Sequence, residues 1–179
     1  CAFYGCSGLI NVKIPNSVTS IGSNAFYNCS SLTNITIGNG VKRIGGYAFY
    51  RCGSLTNIVI PDSVTSIDDY AFSYCSGLTS LTIGNSVTSI GKDAFSYCSG
   101  LTSLTIGNSV KSIGDNAFYK CSGLTSIVMP DSVMSIGYSA FYNCSSLKKI
   151  FYKGTDGQWV NISISSTNNS CLTNATRYY

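Results

Sequence analysis

The chain has 179 residues, of which 44% are hydrophobic and 10% are charged, and its formal net charge is +4. This composition excludes a disordered chain, and the length suffices for one domain with a substantial core. The Lys and Arg residues are scattered singly or in pairs, which argues against nucleic-acid binding, and no apolar run approaches the ~20 residues of a membrane-spanning helix.

The sequence repeats itself every 23 residues, and the period is carried by a Cys, a Leu and an Ala-Phe pair. The cysteines of the period are Cys6, Cys29, Cys52, Cys75, Cys98, Cys121 and Cys144. A partial first repeat precedes six full units at residues 6–143, and a last unit begins after them. A period of this length predicts a solenoid, in which each unit forms one coil of a continuous stack. We therefore predict one domain with a repeat array at residues 1–151.

The unit at residues 75–97 shows the elements that we expect in each coil. Residues 81–83 alternate apolar and polar, which predicts a short strand with Thr82 pointing outward. A turn follows at Gly84-Asn85, where Asn can hydrogen-bond its own backbone. Residues 87–90 then form a second β-like segment, and Ala94-Phe95 falls in a predicted helical or 3₁₀ turn.

The predicted fold is a repeat solenoid, a right-handed superhelix of the leucine-rich-repeat type. It is β-rich, with short parallel strands and one short helical or 3₁₀ turn per 23-residue coil. One unit alone has too few apolar groups to offset the entropy of ordering its backbone, so the coils have to share their cores. Equivalent residues of stacked coils then lie in ladders about 4.8 Å apart.

Two of these ladders are predicted to be structural. They contain Cys29, Cys52, Cys75, Cys98 and Cys121, and Phe26, Phe49, Phe72, Phe95 and Phe118. Nine cysteines in an exported protein would usually suggest disulfides, but parallel in-register side chains fit disulfide torsions poorly. The spacing therefore favours buried free thiols, while some bridges stay open as an alternative, and Cys171 is the least constrained.

The unit CxxLxxIxIPxxVxxIGxxAFxx resembles the BspA-like leucine-rich repeat, a variety found on bacterial surfaces and in some parasitic protists. The resemblance covers residues 6–150, with minor departures at Asp68 and Met129. It implies an extracellular or cell-surface location and non-enzymatic adhesion to matrix proteins, host cells or other microbes. Residues 152–179 resemble the carboxy-terminal cap of that family, and Trp159 is expected to help cover the end of the stack.

Catalytic and metal chemistry have little support in the sequence. The chain contains no His and no Glu, which removes Ser-His and Cys-His nucleophile pairs. Adjacent Asp68 and Asp69 are better explained as solvated surface charges than as a hydrolytic pair. Since no CxxC pair and no phosphate-binding loop occur, we expect neither an enzyme nor a cofactor.

The candidate partner-binding residues are aromatic and basic side chains that stacking brings to one edge of the coils. We call this set the tyrosine edge: Tyr27, Tyr50, Tyr74, Tyr97, Tyr119 and Tyr142, with Tyr47, Tyr70, Arg51 and Lys120 beside them. Tyr and Arg are favoured at binding hot spots, and aromatic rows also suit stacking on sugar rings. Alternatively, these rings only pack on each other and stabilise the stack.

Three functions remain open at this point. The favoured hypothesis is a surface adhesion module that recognises a host or microbial protein, such as a matrix or cell-surface protein. Variation among the repeats after Ile-Gly and after Ala-Phe favours binding, whereas the near identity of other columns favours a structural spacer. A glycan-binding module is the third possibility.

Overall fold

The computed structural model describes residues 1–179 and forms a parallel β-solenoid of about seven turns. An eight-stranded sheet, the first sheet, runs along one side of the stack. Its strands are β1 (Asn11–Lys13), β3 (Asn34–Thr36), β5 (Asn57–Val59), β7 (Ser80–Thr82), β9 (Ser103–Thr105), β11 (Ser126–Met129), β13 (Lys149–Tyr152) and β15 (Thr176–Tyr178).

A seven-stranded second sheet is formed by the other short segment of each coil. Its strands are β2 (Ser20–Ile21), β4 (Arg43–Ile44), β6 (Ser66–Ile67), β8 (Ser89–Ile90), β10 (Ser112–Ile113), β12 (Ser135–Ile136) and β14 (Ser163–Ile164). The chain has two helices, α1 (Asp156–Trp159) and α2 (Ser170–Thr173). Neither is long and apolar enough to cross a membrane.

The sequence period sets the register of both sheets. In the first sheet Ser80 pairs with Ser103 and Leu81 with Leu104, each exactly one repeat further along the chain. Leu81 is buried, while Ser80 and Thr82 on either side of it are exposed. The predicted solenoid with short parallel strands and an outward Thr82 is therefore confirmed.

The core is one continuous cluster of 50 buried residues that runs the length of the stack. Phe rings of neighbouring coils lie parallel within it, with 5.1 Å between the ring centroids of Phe72 and Phe95. Cys98 lies in the same core, and its Sγ donates a hydrogen bond to the carbonyl of Phe72 at 3.3 Å. The thiol thus fills a small space and also links two coils, a role that the sequence does not reveal.

The Ala-Phe segment differs from the predicted helical or 3₁₀ turn, because it is a run of hydrogen-bonded turns. Ser96 N–H donates within its coil to Asp93, but Phe95 N–H donates to Ala117 of the next coil at 2.8 Å. Asp93 and Tyr97 have positive φ angles of 53° and 59°. A helix would use these amides internally, whereas the alternating turns provide a third hydrogen-bonded ladder between coils.

The turn that joins the two strands of a coil also forms hydrogen bonds with the turn of the neighbouring coil. Asn108 N–H donates to the Asn85 side-chain oxygen at 3.1 Å, and Asn85 N–H donates to Asp62. Gly107 lies against this turn so closely that an added Cβ would be 2.1 Å from the carbonyl oxygen of Gly84. Where Gly occupies this position it therefore packs directly on the turn of the preceding coil, and Pro occupies the position in three other coils.

Residues 152–179 extend both sheets by one longer coil, since β14 pairs with β12 and β15 with β13. Trp159 is buried and meets Tyr152 edge-on with 5.2 Å between ring centroids. The side chain of buried Asn169 accepts the Phe141 N–H at 3.0 Å and donates to Gly137 and Ser165. In other coils that Phe amide donates to the next Ala carbonyl, so Asn169 ends this ladder. These contacts support the cap assignment, which stays a prediction.

We expect thiol reagents to distinguish the buried ladder from the ends of the chain. Cys1 and Cys6 are exposed and Cys171 is partly exposed, while the other six cysteines are buried. Burial raises the pKa of the Cys98 thiol to about 12, so almost no reactive thiolate forms there at pH 8. Titration of the folded chain with a chromogenic disulfide should give up to three fast-reacting thiols and all nine after denaturation. Rapid reaction of more than three in the folded chain would contradict the buried ladder.

Replacement of Asn169 with Ala should destabilise the carboxy-terminal end. The change leaves the buried Phe141 amide and two partly buried carbonyls without their partner, which costs about 2–3 kcal/mol. Chemical denaturation of the variant measures the loss. The matched control is Asn174→Ala, an exposed Asn whose side chain makes no hydrogen bond. Equal stability of the two variants would show that Asn169 does not hold the end of the stack.

Candidate binding surface

The outer faces of both sheets carry mainly small polar residues, interrupted by Val59 and Phe151 on the first sheet and by Arg43 on the second. Thr102 Oγ1 donates to the Thr79 carbonyl at 3.0 Å, and Thr79 Oγ1 donates to the Thr56 carbonyl at the same distance. The hydroxyl groups of this column are thus engaged along the stack. A surface in which each coil repeats its neighbour offers little to distinguish one partner from another.

The tyrosine edge is different, because all of its rings except Tyr47 and Tyr70 form one unbroken row. We call this row the long row. Consecutive ring centroids are 4.3–5.5 Å apart. The row contains Tyr4, Tyr27, Tyr50, Tyr74, Tyr97, Tyr119 and Tyr142. Tyr4 extends the predicted set by one residue. The structure therefore brings six of the predicted tyrosines together in one continuous feature.

The long row is displaced sideways twice, because its central pair, Tyr74 and Tyr97, lies two residues after Phe in each coil. The other tyrosines of the row directly follow Phe. Tyr50 and Tyr74 meet edge-on with their ring planes at 65°, and Tyr97 and Tyr119 are tilted by 55°. Between these steps Tyr74 and Tyr97 stack face to face, with ring centroids 4.3 Å apart. The position directly after Phe is occupied by a buried Ser in these two coils, which displaces the rings to the next residue.

A cation lies at each step of the long row. The guanidinium carbon of Arg51 is 5.5 Å from the ring centroid of Tyr50 and 5.7 Å from that of Tyr74. Lys120 Nζ is 5.1 Å from the centroid of Tyr97 and 5.4 Å from that of Tyr119. All four distances fall within the range of cation–π attraction. The two predicted basic residues are thus placed symmetrically around the central tyrosine pair.

A short second row lies beside the long one in two coils. Tyr47 and Tyr70 stack with centroids 4.7 Å apart, and Tyr47 also contacts Tyr50. Burial, with a smaller contribution from Asp93, raises the pKa of the Tyr70 hydroxyl above its ordinary value. All ten predicted residues of the tyrosine edge therefore lie in connected aromatic and cationic contacts.

The exposure of these rings determines what they can offer a partner. Tyr47 and Tyr74 are each 37% exposed and Tyr142 is 38% exposed, whereas Tyr27, Tyr50, Tyr70, Tyr97 and Tyr119 are half-buried. Stacking covers the faces of the inner rings, so part of each ring stabilises the stack. The remaining exposed area runs along the whole edge and forms a connected aromatic surface.

Other surface features were not identified from the sequence. A groove of about 840 Å³ follows the turn ladder, where Lys153 Nζ donates to the Asn108 side chain at 2.9 Å. Phe151 and Tyr178 stack on the outer face of the first sheet. Tyr138 is 49% exposed near the carboxy-terminal end of the long row. Its column otherwise holds Ser23, Gly46, Asp69, Lys92 and Asp115, so the only signal was one aromatic residue among small and charged ones.

No group of three or more His, Cys, Asp or Glu side chains is arranged to hold a metal ion. Asp68, which replaces the repeat Gly, forms an ion pair with Arg43 of the preceding coil, with 2.8 Å from Arg43 Nε to Oδ2. Arg43 also departs from its column, which otherwise contains Ser. The negative charge of Asp68 and the positive charge of Arg43, both departures from the repeat, therefore neutralise each other at the surface.

Comparison with known proteins places the repeats in a family. The BspA type leucine rich repeat region matches in six copies, over residues 1–121 and 65–176. The T. pallidum leucine rich repeat protein is 36% identical, with a TM-score of 0.76 over 82% of this chain and 68% of that one. No curated protein matches the sequence.

Two further solved structures are similar. A leucine rich cell surface protein from Faecalibacterium prausnitzii is 27% identical, with a TM-score of 0.50 over 92% of this chain and 65% of that one. A leucine-rich repeat protein from Eubacterium ventriosum is 28% identical, with a TM-score of 0.70 over 77% of this chain and 37% of that one. The stacked coils and the matched repeats agree, and the chain belongs to the BspA-type leucine-rich repeat family.

Proposed function

We propose that this chain is a non-catalytic adhesion module that binds a protein partner through the tyrosine edge. The observation that carries the proposal is the long row with its two cations, since it is the one surface that is both aromatic and varied along the stack. Tyr and Arg are enriched where protein interfaces have most of their binding energy. The outer faces of the sheets consist mainly of Thr and Ser, and Arg43 there forms an ion pair with Asp68.

The dimensions of the row suit a protein partner. Seven rings on consecutive coils span about 29 Å, from six steps of about 4.8 Å. A standard protein interface buries about 800 Å² per partner, which corresponds to a patch about 28 Å across. The tyrosine edge could therefore form the centre of an ordinary interface, with the neighbouring polar columns as its rim.

The rings are also held in place before any partner arrives. Each ring of the long row contacts its neighbours, and Arg51 and Lys120 each lie within cation–π distance of two rings. Binding to a rigid surface loses less side-chain entropy than binding to a mobile one. This preorganisation favours recognition over a purely space-filling role.

A location on the cell surface or outside the cell fits this function. The F. prausnitzii relative is described as a cell surface protein, and bacterial leucine-rich repeat proteins are the structural neighbours of the chain. We extend the surface location to the present chain as part of the proposal. The partner would then be a matrix protein or a protein on another cell.

The binding test compares the chain with a variant that lacks one exposed part of the edge. The substitutions Tyr47→Ser, Arg51→Ser and Tyr74→Ser remove two exposed rings and the cation beside them. We expect at least a tenfold weaker affinity for a partner found by surface plasmon resonance on immobilised matrix proteins, because hot-spot residues contribute about 2 kcal/mol or more. Thermal unfolding must show that the variant still folds.

The matched control is Val59→Ser with Met134→Ser, which removes exposed apolar side chains, 66% and 63% exposed, outside the tyrosine edge. Equal loss of affinity in both variants would contradict a site on the edge. If the parent chain binds no protein of the panel, the proposal fails, and a structural spacer becomes the better explanation.

A further inference from the structure

The carboxy-terminal part of the tyrosine edge contains a recess of about 400 Å³, in a column that coils two and three fill with Tyr rings. In coils two and three, the stacked rings of Tyr47 and Tyr70 occupy the equivalent column. The next coils place Asp93, Asn116 and Ser139 there, with φ angles of 53°, 55° and 52°. Since the backbone conformation is the same, the shorter side chains leave open the space that the two rings fill elsewhere.

The floor of the recess is polar and keeps hydrogen-bonding capacity free. Asn116 Nδ2 lies 3.4 Å from Asp93 Oδ2, and Asn168 Nδ2 donates to Ser139 Oγ at 3.1 Å. The side-chain oxygens of Asn116 and Asn168 accept no hydrogen bond from the chain. A carboxylate and two amides side by side provide donors and acceptors within one small area.

The walls of the recess are aromatic. Tyr142 is the last ring of the long row, so its outer face has no stacking partner. Tyr138 lines the recess, is 49% exposed and stacks with no other aromatic ring. An aromatic face carries partial negative charge, which attracts the partly positive C–H groups of a ligand ring.

From this arrangement we infer that the recess is a binding site for a neutral pyranose sugar, an inference that does not depend on the proposed protein interface. A sugar ring has one apolar C–H face for Tyr138 or Tyr142 and equatorial hydroxyl groups for Asp93, Asn116 and Asn168. The volume lies in the lower part of the range for small-molecule sites, which suits one or two rings.

The same residues disfavour other ligands. The carboxylate of Asp93 repels phosphate, nucleic acid and acidic sugars, and the nearby cation of Lys120 is already engaged with the rings of Tyr97 and Tyr119. The carboxylate of Asp93 and the two amide oxygens are too few ligands for calcium, which takes about six to eight oxygens, and the polar floor offers an acyl chain no apolar contact. A neutral polyhydroxylated ring with one apolar face satisfies both the floor and the walls.

The test is isothermal titration calorimetry of the full chain with neutral hexoses, 6-deoxyhexoses and N-acetylhexosamines, and with glucuronic acid as the acidic comparison. We expect at least one neutral sugar to bind in the millimolar range, as is usual for so small a ligand, and glucuronic acid to bind more weakly. Tyr138→Ala should weaken binding about fivefold to tenfold through the loss of one aromatic wall.

Two further variants make the test specific. Asp93→Asn should weaken neutral-sugar binding about tenfold, because it removes a charged acceptor, and should reduce the discrimination against glucuronic acid. The control Tyr4→Ala removes the exposed ring at the opposite end of the long row and should leave sugar affinity unchanged.

The inference is overturned if no neutral sugar binds, if glucuronic acid binds best, or if Tyr4→Ala weakens binding as much as Tyr138→Ala. Its failure is distinguishable from failure of the protein interface. The variant Tyr47→Ser with Arg51→Ser and Tyr74→Ser should retain sugar binding, and Tyr138→Ala should retain the protein partner.

Discussion

The hydrogen bonds between coils are the interaction on which the rest of this structure depends. Each coil places backbone amides at three positions where only a neighbouring coil can accept them: in the first sheet, in the second sheet and in the Ala-Phe turns. Because unpaired buried amides are costly, the coils have to keep a common length, and the 23-residue period follows from that requirement. After Phe141 the next Ala carbonyl of this ladder is missing, and the side chain of Asn169 accepts the Phe141 amide in its place.

In-register stacking also decides which side chains a column can contain. Phe on Phe and Tyr on Tyr are favourable, since rings at this spacing stack. Like charges directly above one another repel, so charged residues cannot fill a column. One column accordingly alternates Asp69, Lys92 and Asp115, and the low charged fraction of the chain follows from the same constraint.

The dependence of the structure on contacts between coils determines which features of the fold could be predicted from the sequence. Coil length, strand register and the buried Leu and Ile positions were predictable, since each needs only the identity of residues one period apart. The positive φ of Tyr47 or Arg51 was not, because these residue types rarely adopt it and only inter-coil bonds hold them there. The thiol bonds, the side steps of the long row and the role of Asn169 likewise depend on contacts without a sequence signature.

The candidate sites lie where the columns are interrupted, and the constraint on stacking explains why. A perfectly repeated column gives a surface that is the same at each coil, and such a surface cannot fix a partner at one position. The Ser residues at 73 and 96 displace the tyrosine row and leave places for Arg51 and Lys120. Asp93 and Asn116, in place of two rings, open the recess. In a solenoid built from repeated coils, specific binding therefore requires residues that depart from the repeat at single positions. These residues must still allow the coils to stack in register.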